Sequence, residues 1–220
     1  MMLRHIERHA VLRERLIDAA ERTIAGKGLA ALRARDLARE VGCAVGTIYN
    51  IFDHLDELVL RVGLRTLASL EAALEVGRSP DRYRSPEEPI EDLVRLALAY
   101  LEFAATHTIR WRALFEHRMS DARPLPEWFV EQQHRLFGQI ERPLGALLPE
   151  LDQETRRILA RTVFSTVHGV VTLGLEEKLV SLPLPDLARQ LAATVRAIAI
   201  GRDALRAIDR DESAADLRRN

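Results

Sequence analysis

Apolar residues recur three and four positions apart along almost the whole chain, and they rarely alternate one for one with polar residues. That period belongs to helices packed on one side; strands would show a strict two-residue alternation, or short β-branched runs between turns. The spacing predicts an all-α protein. In the first segment Leu12, Leu16, Ala19, Ala20, Thr23 and Ile24 form one stripe, which stops at Gly26-Lys27-Gly28. Glycine just past the last periodic residue is a helix stop, so helix 1 is expected over roughly 9–26. Two short patterns follow, over 33–41 and 45–52, the first closed by Gly42 and the second by Asp53-His54. From Leu55 a longer stripe of Leu58, Val59, Val62, Thr66, Leu70 and Ala73 continues to the neighbourhood of Gly77 and predicts helix 4.

Residues 77–89, GRSPDRYRSPEEP, form the most proline-rich and polar interior stretch and mark a module boundary. Within it Ser85-Pro86-Glu87-Glu88 has the form of a capping box: Ser85 as N-cap, Pro86 at the first helical position and Glu88 at the third. Helix 5 is expected from there to Thr106. Four more helices are expected over 109–119, 126–148, 152–180 and 185–208, with Pro124, Pro126, Pro149, Pro183 and Pro185 in the gaps. The total is nine. The expected organisation is a three-helix module over 1–54, a connecting helix over 55–78 and a larger helical module over 79–220. The charged tail DRDESAADLRRN is expected to fray.

Composition narrows the function classes. With 47% hydrophobic and 30% charged residues, the chain has the material for a packed core. No window approaches a membrane span, and the start, MMLRHIERHA, lacks the apolar run of a secretory signal, so the cytoplasm is the expected location. Cys43, the single cysteine, rules out an intrachain disulfide and a cysteine zinc site; it reads as a small buried hydrophobe before it reads as a thiol switch. The net charge of −1 announces no nucleic-acid partner, although residues 1–50 alone carry a net of about +3, which permits one. No nucleophile elbow, zinc-protease motif or phosphate loop is present. Glu131 and His134 form a single E-x-x-H where a di-iron bundle needs two, and His5 and His9 are spaced for a shared metal but lie in the N-terminal extension. The chain is therefore not read as an enzyme, and no metal or cofactor is expected.

The informative stretch runs from Arg35 to Phe52. Leu37, Ala38 and Val41 form the inward face of one short helix, Gly42 makes a turn, and Ile48, Ile51 and Phe52 anchor a second short helix. Ala44, Val45, Gly46, Thr47, Tyr49 and Asn50 are left pointing away from the core near the second helix's N-terminus. In a helix-turn-helix such positions enter the major groove, where small side chains allow close approach and hydroxyls or amides reach phosphates and base edges. The first turn also offers backbone N–H groups to phosphate.

The same residues resemble the signature of the TetR family of bacterial regulators: Gly26 and Gly28 ending helix 1, Leu37-Ala38 with Gly42, Gly46-Thr47-Ile48-Tyr49-Asn50-Ile51-Phe52, and Asp56-Glu57-Leu58 opening helix 4. The resemblance covers about residues 11–60. It implies that Thr47 and Tyr49 contact DNA phosphates, that Ala44, Val45 and Asn50 lie against bases, and that Arg33 or Arg35 clamps the backbone. The chain departs from the pattern at Leu55, where many members carry a phosphate-binding lysine, and at Leu32-Arg33, where Thr or Ser often opens helix 2. Arg33, Arg35 and His54 are the candidates to replace that grip, and a shallower salt dependence is expected.

In the second half, Trp111 and His168-Gly169 resemble the C-terminal subgroup named for Trp, His and Gly at such places. Tyr100, Phe103, Trp111, Phe115, Phe129, Phe137, Phe164 and His168 are candidates to line a mostly apolar small-molecule pocket, although aromatics at helical spacing also serve as plain core. The apolar faces of helices 8 and 9 imply a homodimer that presents two recognition helices to a palindromic double-stranded operator. The resemblance implies a repressor released when a small, largely apolar ligand moves helix 4. The competing expectations are a TetR-like activator without an effector, and a helical protein-interaction module with a vestigial helix-turn-helix.

Overall fold

The structure, a computed structural model, describes residues 2–78, 82–120, 123–176 and 182–201. Among them are nine α-helices: α1 Met2–Lys27, α2 Ala34–Val41, α3 Val45–Ile51, α4 Leu55–Glu75, α5 Glu88–Thr106, α6 Thr108–Glu116, α7 Glu127–Leu147, α8 Gln153–Gly174 and α9 Leu184–Ile200, with a short 3₁₀ turn at Leu29–Ala31. They pack into two compact units, one from Met1–Leu70 and Thr106–Gln132, the other from Glu71–Ala105 and Gln133–Asn220.

Several boundaries differ from the expected ones. α1 begins at Met2 rather than near residue 9. α5 begins at Glu88, so Ser85 and Pro86 lie outside it; instead of closing a box on Ser85, the Glu88 carboxylate reaches back to accept from the Arg84 N–H at 2.6 Å. α6 ends at Glu116, three residues before the expected Met119. α8 ends at Gly174, short of Val180, with Leu175 as its C-cap; residues 177–180 of the expected helix lie outside the described residues, as do 202–208 of the expected helix 9 and the charged tail.

Glycine geometry sets the turns of the first unit. Gly28 (φ 80°) and Gly42 (φ 76°) both occupy conformations that a Cβ would strain. At Gly42 the left-handed backbone lets two successive N–H groups, of Gly42 and Cys43, bond the Ala38 carbonyl at 2.9 Å each, which ends α2 and aims the chain into α3. The core here gathers Leu16, Ala20 and Ile24 of α1, Leu37 and Ala38 of α2, and Ile48, Phe52 and Leu58. Arg65 of α4 fastens α1 from outside, bonding Glu14 (2.8 Å), Asp18 (2.7 Å) and Glu21 (2.9 Å). Glu21 also meets Arg110 of α6, so one carboxylate ties three helices.

In the second unit, α8 starts at a strong cap. Asp152 accepts from the Thr155 N–H at 2.9 Å. Its far end, Gly174, lies against α9: a Cβ there would come within 2.5 Å of the buried Leu187 side chain, so close helix approach accounts for that glycine. The same unit buries one carboxylate completely. Asp92 accepts from the Tyr83 hydroxyl (2.7 Å), Arg95 Nε (2.9 Å) and Arg142 Nη2 (2.6 Å). Burial alone would raise its pKa, but the hydrogen bonds and the two guanidiniums hold it below the ordinary carboxylate value.

Candidate nucleic-acid interface

α3 is short, and its orientation follows from two side chains. Ile48 and Phe52 are fully buried, and Ile51 packs against the same core. Because side chains advance by 100° per residue, anchoring positions 48, 51 and 52 turns positions 46, 49 and 50 to solvent, and Val45 is left open as the first residue of the helix. Tyr49 is 50% exposed and Val45 36% exposed; Ala44, Gly46 and Asn50 are exposed, and Thr47 is half-buried.

Local bonds make this surface rigid from behind. The Thr47 N–H bonds the Ala44 carbonyl (2.9 Å), Phe52 N–H bonds Ile48 (2.8 Å), and Arg15 Nη2 of α1 caps the Val41 carbonyl at the end of α2 (2.9 Å). Arg13 lies over the Phe52 ring, 4.8 Å from its centroid, and pairs with Glu57. The exposed side of α3 takes no part in these interactions. Ala44, the N-cap, contributes no side-chain hydrogen bond.

The remaining expected contact residues flank α3. Arg33 is the N-cap of α2, and its Nη1 folds back onto the carbonyls of Ala30 (2.6 Å) and Leu32 (2.9 Å), while its side chain stays exposed. Arg35 stands exposed in the first turn of α2, and His54 is exposed in the turn before α4. Arg39, which the sequence pattern does not single out, is also exposed on α2 and is held by Asp36 at 2.6 Å.

The eight aromatic candidates divide between the units. Tyr100, Phe103, Phe137, Phe164 and His168 belong to the second. Phe164 is the hub: its ring lies 5.6 Å from Tyr100, 5.5 Å from Phe137 and 5.6 Å from His168, edge to face with the first two and stacked on the third. Trp111, Phe115 and Phe129 belong to the first unit, where Trp111 and Phe115 pair at 5.7 Å and Phe129 packs beside Gly63. An enclosed apolar void in the second unit, between Leu93, Leu144, Leu148, Val163 and Val195, measures about 10 Å³, no more than one water. Cys43 is half-buried against the α1–α3 core. No helix among the described residues is long and apolar enough to cross a membrane.

Comparison with known proteins bears on both units. A family model described as bacterial regulatory proteins, tetR family, matches residues 16–62, and a second, described as tetracyclin repressor-like, C-terminal domain, matches residues 93–198. No curated protein matches. Among solved structures, a protein of unknown function from Rhodococcus sp. RHA1 superposes with a TM-score of 0.62 at 22% identity, covering 84% of this chain and 94% of its own. A bacterial regulatory protein in the tetR family, also from Rhodococcus RHA1, gives 0.57 at 20% identity over 84% and 95%. The TetR family transcriptional regulator PfmR from Thermus thermophilus gives 0.56 at 18% identity over 83% and 97%. At these identities the structures share the fold.

Proposed function

We propose that this member of the TetR family of bacterial regulatory proteins, which carries both the N-terminal and the C-terminal domain of that family, is a repressor that binds a palindromic operator as a homodimer and leaves it when a small molecule binds the C-terminal domain. The carrying observation is the outer side of α3, with Val45, Tyr49 and Asn50 open and Thr47 half-buried beside fully buried Ile48 and Phe52. In this reading Ala44, Val45, Gly46 and Asn50 approach base edges, Thr47 and Tyr49 bond phosphates, and Arg33, Arg35 and His54 grip the backbone from the flank.

Dimerisation is assigned to α8 and α9. α8 exposes Ile158, Thr162, Ser165 and Leu173, with half-buried Gly169 on the same stripe, and α9 exposes Leu184 and Ile200. Among the described residues a Cβ at Gly169 would meet no atom within 4 Å, which leaves room for a close partner helix. The effector is assigned to the second unit, where a largely apolar molecule would insert among Tyr100, Phe103, Phe137, Phe164 and His168, prising apart rings that pack on one another here. Its binding would then act through α4, so that the two recognition helices no longer match successive major grooves about 34 Å apart.

Footprinting of the full chain on the DNA upstream of its own gene tests the operator half of this reading. Protection of a two-fold symmetric site of roughly 15 to 30 base pairs is the expected result. Uniform weak binding, or protection of nothing, would leave a helical interaction module as the better description.

A further inference from the structure

The second unit holds a polar cleft apart from its aromatic cluster. Arg78, Arg95, Arg135, Arg142, Gln139 and Glu75 line it, and it encloses about 200 Å³. Four guanidiniums line it, and the carboxylates they pair with, Glu75, Asp92 and Glu71, leave a net charge of about +1, which favours an anion.

The inner two arginines are held in place before any ligand arrives. Buried Asp92 takes one bond from each, and Arg95 also donates to the carbonyls of Leu74 and Val76 at the end of α4, while Arg142 lies over the Tyr83 ring, 5.4 Å from its centroid. A guanidinium has five N–H donors in a fixed plane, so one held by its back can still present an edge to an oxyanion. The other two are paired as well: Arg78 meets Glu75 at 3.3 Å, and Arg135 meets Glu71 at 3.6 Å.

Gln139 also lines the cleft, and Gly138 beside it adds no side chain to the wall: among the described residues a Cβ there would touch nothing within 4 Å. We propose that this arginine cleft is a binding site for a small organic acid, whose carboxylate accepts from the guanidinium edges that line it. The cleft, of about 200 Å³, has room for a small acid. Glu75 in the lining weighs against a phosphate dianion, whose second charge it would repel. This assignment goes beyond the regulator reading and does not rest on it.

Calorimetric titration of the full-length chain, without DNA, with propionate, benzoate and inorganic phosphate tests it. At least one of the two carboxylic acids should bind saturably at one site per chain. Arg78→Ala and Arg135→Ala should each weaken that binding tenfold or more while helix content and Tm stay at the wild-type value. Gly138→Glu, which places a tethered carboxylate at the open wall, should abolish it. The assignment is overturned if neither acid binds saturably, if the variants bind as wild type does, or if phosphate binds more tightly than both acids. Since no operator is present, a negative result leaves DNA binding untouched, and a chain that fails to footprint can still pass.

Discussion

The Tyr100 hydroxyl and the His168 Nδ1 lie 2.7 Å apart, joining α5 to α8 across 68 residues of sequence. With the tyrosine donating, Nδ1 is the acceptor of a neutral imidazole, and Nε2–H faces the Thr172 hydroxyl at 3.4 Å. Burial pushes the His168 pKa below the ordinary 6.5. A histidine with a lowered folded pKa binds fewer protons folded than unfolded, so its contribution is intact above about pH 6.5 and is lost as the pH falls from there through the folded value. His117 of the first unit is shifted the same way by its burial, with Asp56 opposing. Tm should therefore drop between pH 7.5 and 5.5, and His168→Asn should shrink the drop without removing it. An unchanged drop would show that the pair does not carry the effect.

Two adjacent residues of α3 should behave as opposites. Ile48, fully buried, should cost about 2 to 5 kcal/mol of stability when cut to alanine. Tyr49, half exposed, should change stability by no more than about 0.5 kcal/mol as Tyr49→Ala, yet operator affinity should fall by roughly fivefold to tenfold, the worth of about 1 kcal/mol. Denaturant titration and a fluorescence-anisotropy DNA titration measure the two effects. Undiminished affinity in Tyr49→Ala would refute the proposed docking.

Salt dependence separates phosphate grip from base reading. Arg35→Ala should weaken binding to every DNA sequence alike and flatten the slope of log K against log salt by about one unit, as expected for one lost phosphate contact. Asn50→Ala should leave the slope unchanged and relax sequence preference. Identical slopes for wild type and Arg35→Ala would remove Arg35 from the phosphate contacts.

Gly169 isolates the subunit interface. Among the described residues a Cβ there would meet nothing within 4 Å, so the effects of Gly169→Leu fall on whatever packs against α8. Sedimentation should show the variant as a monomer with wild-type helix content. A variant that remains dimeric would move the interface away from this stripe.

Asp92→Ala leaves Tyr83, Arg95 and Arg142 without the carboxylate that gathers them, and removing one partner of a buried charged group costs about 3 to 5 kcal/mol. Since the Asp92 pKa is lowered, the wild-type contribution is present above the ordinary value of 3.8 and is lost only as the pH falls through the lower folded value. The stability gap between wild type and Asp92→Ala should therefore hold from pH 8 down to pH 5. Chemical denaturation at both pH values checks it.

How much of this is legible in the sequence depends on how local the cause is. The inward faces of α2 and α3 follow from a helical period and one left-handed glycine, and Leu37, Ala38, Val41, Ile48 and Phe52 are all buried as that period requires. The start of α5 departs from expectation because Ser85-Pro86-Glu87-Glu88 has a box's letters, while the Glu88 carboxylate bonds the Arg84 N–H instead. Chain order also conceals that Thr106–Gln132 packs with the first unit, which separates Trp111 from His168. Nothing local signals the arginine cleft: its four cations come from the end of α4, from α5 and from α7, and lie as far as 64 residues apart in sequence, from Arg78 to Arg142.

The absence of side-chain capping at Ala44 has a consequence for descent as well as for binding. Since α3 is held almost wholly by Ile48, Ile51 and Phe52, and its outer positions contribute little to folding, a lineage carrying this scaffold can exchange Val45, Tyr49 or Asn50 without endangering the native state. On the proposed docking, target choice is thereby uncoupled from foldability, and new operators lie within reach of single substitutions at the base-facing Val45 or Asn50 on an otherwise unaltered module.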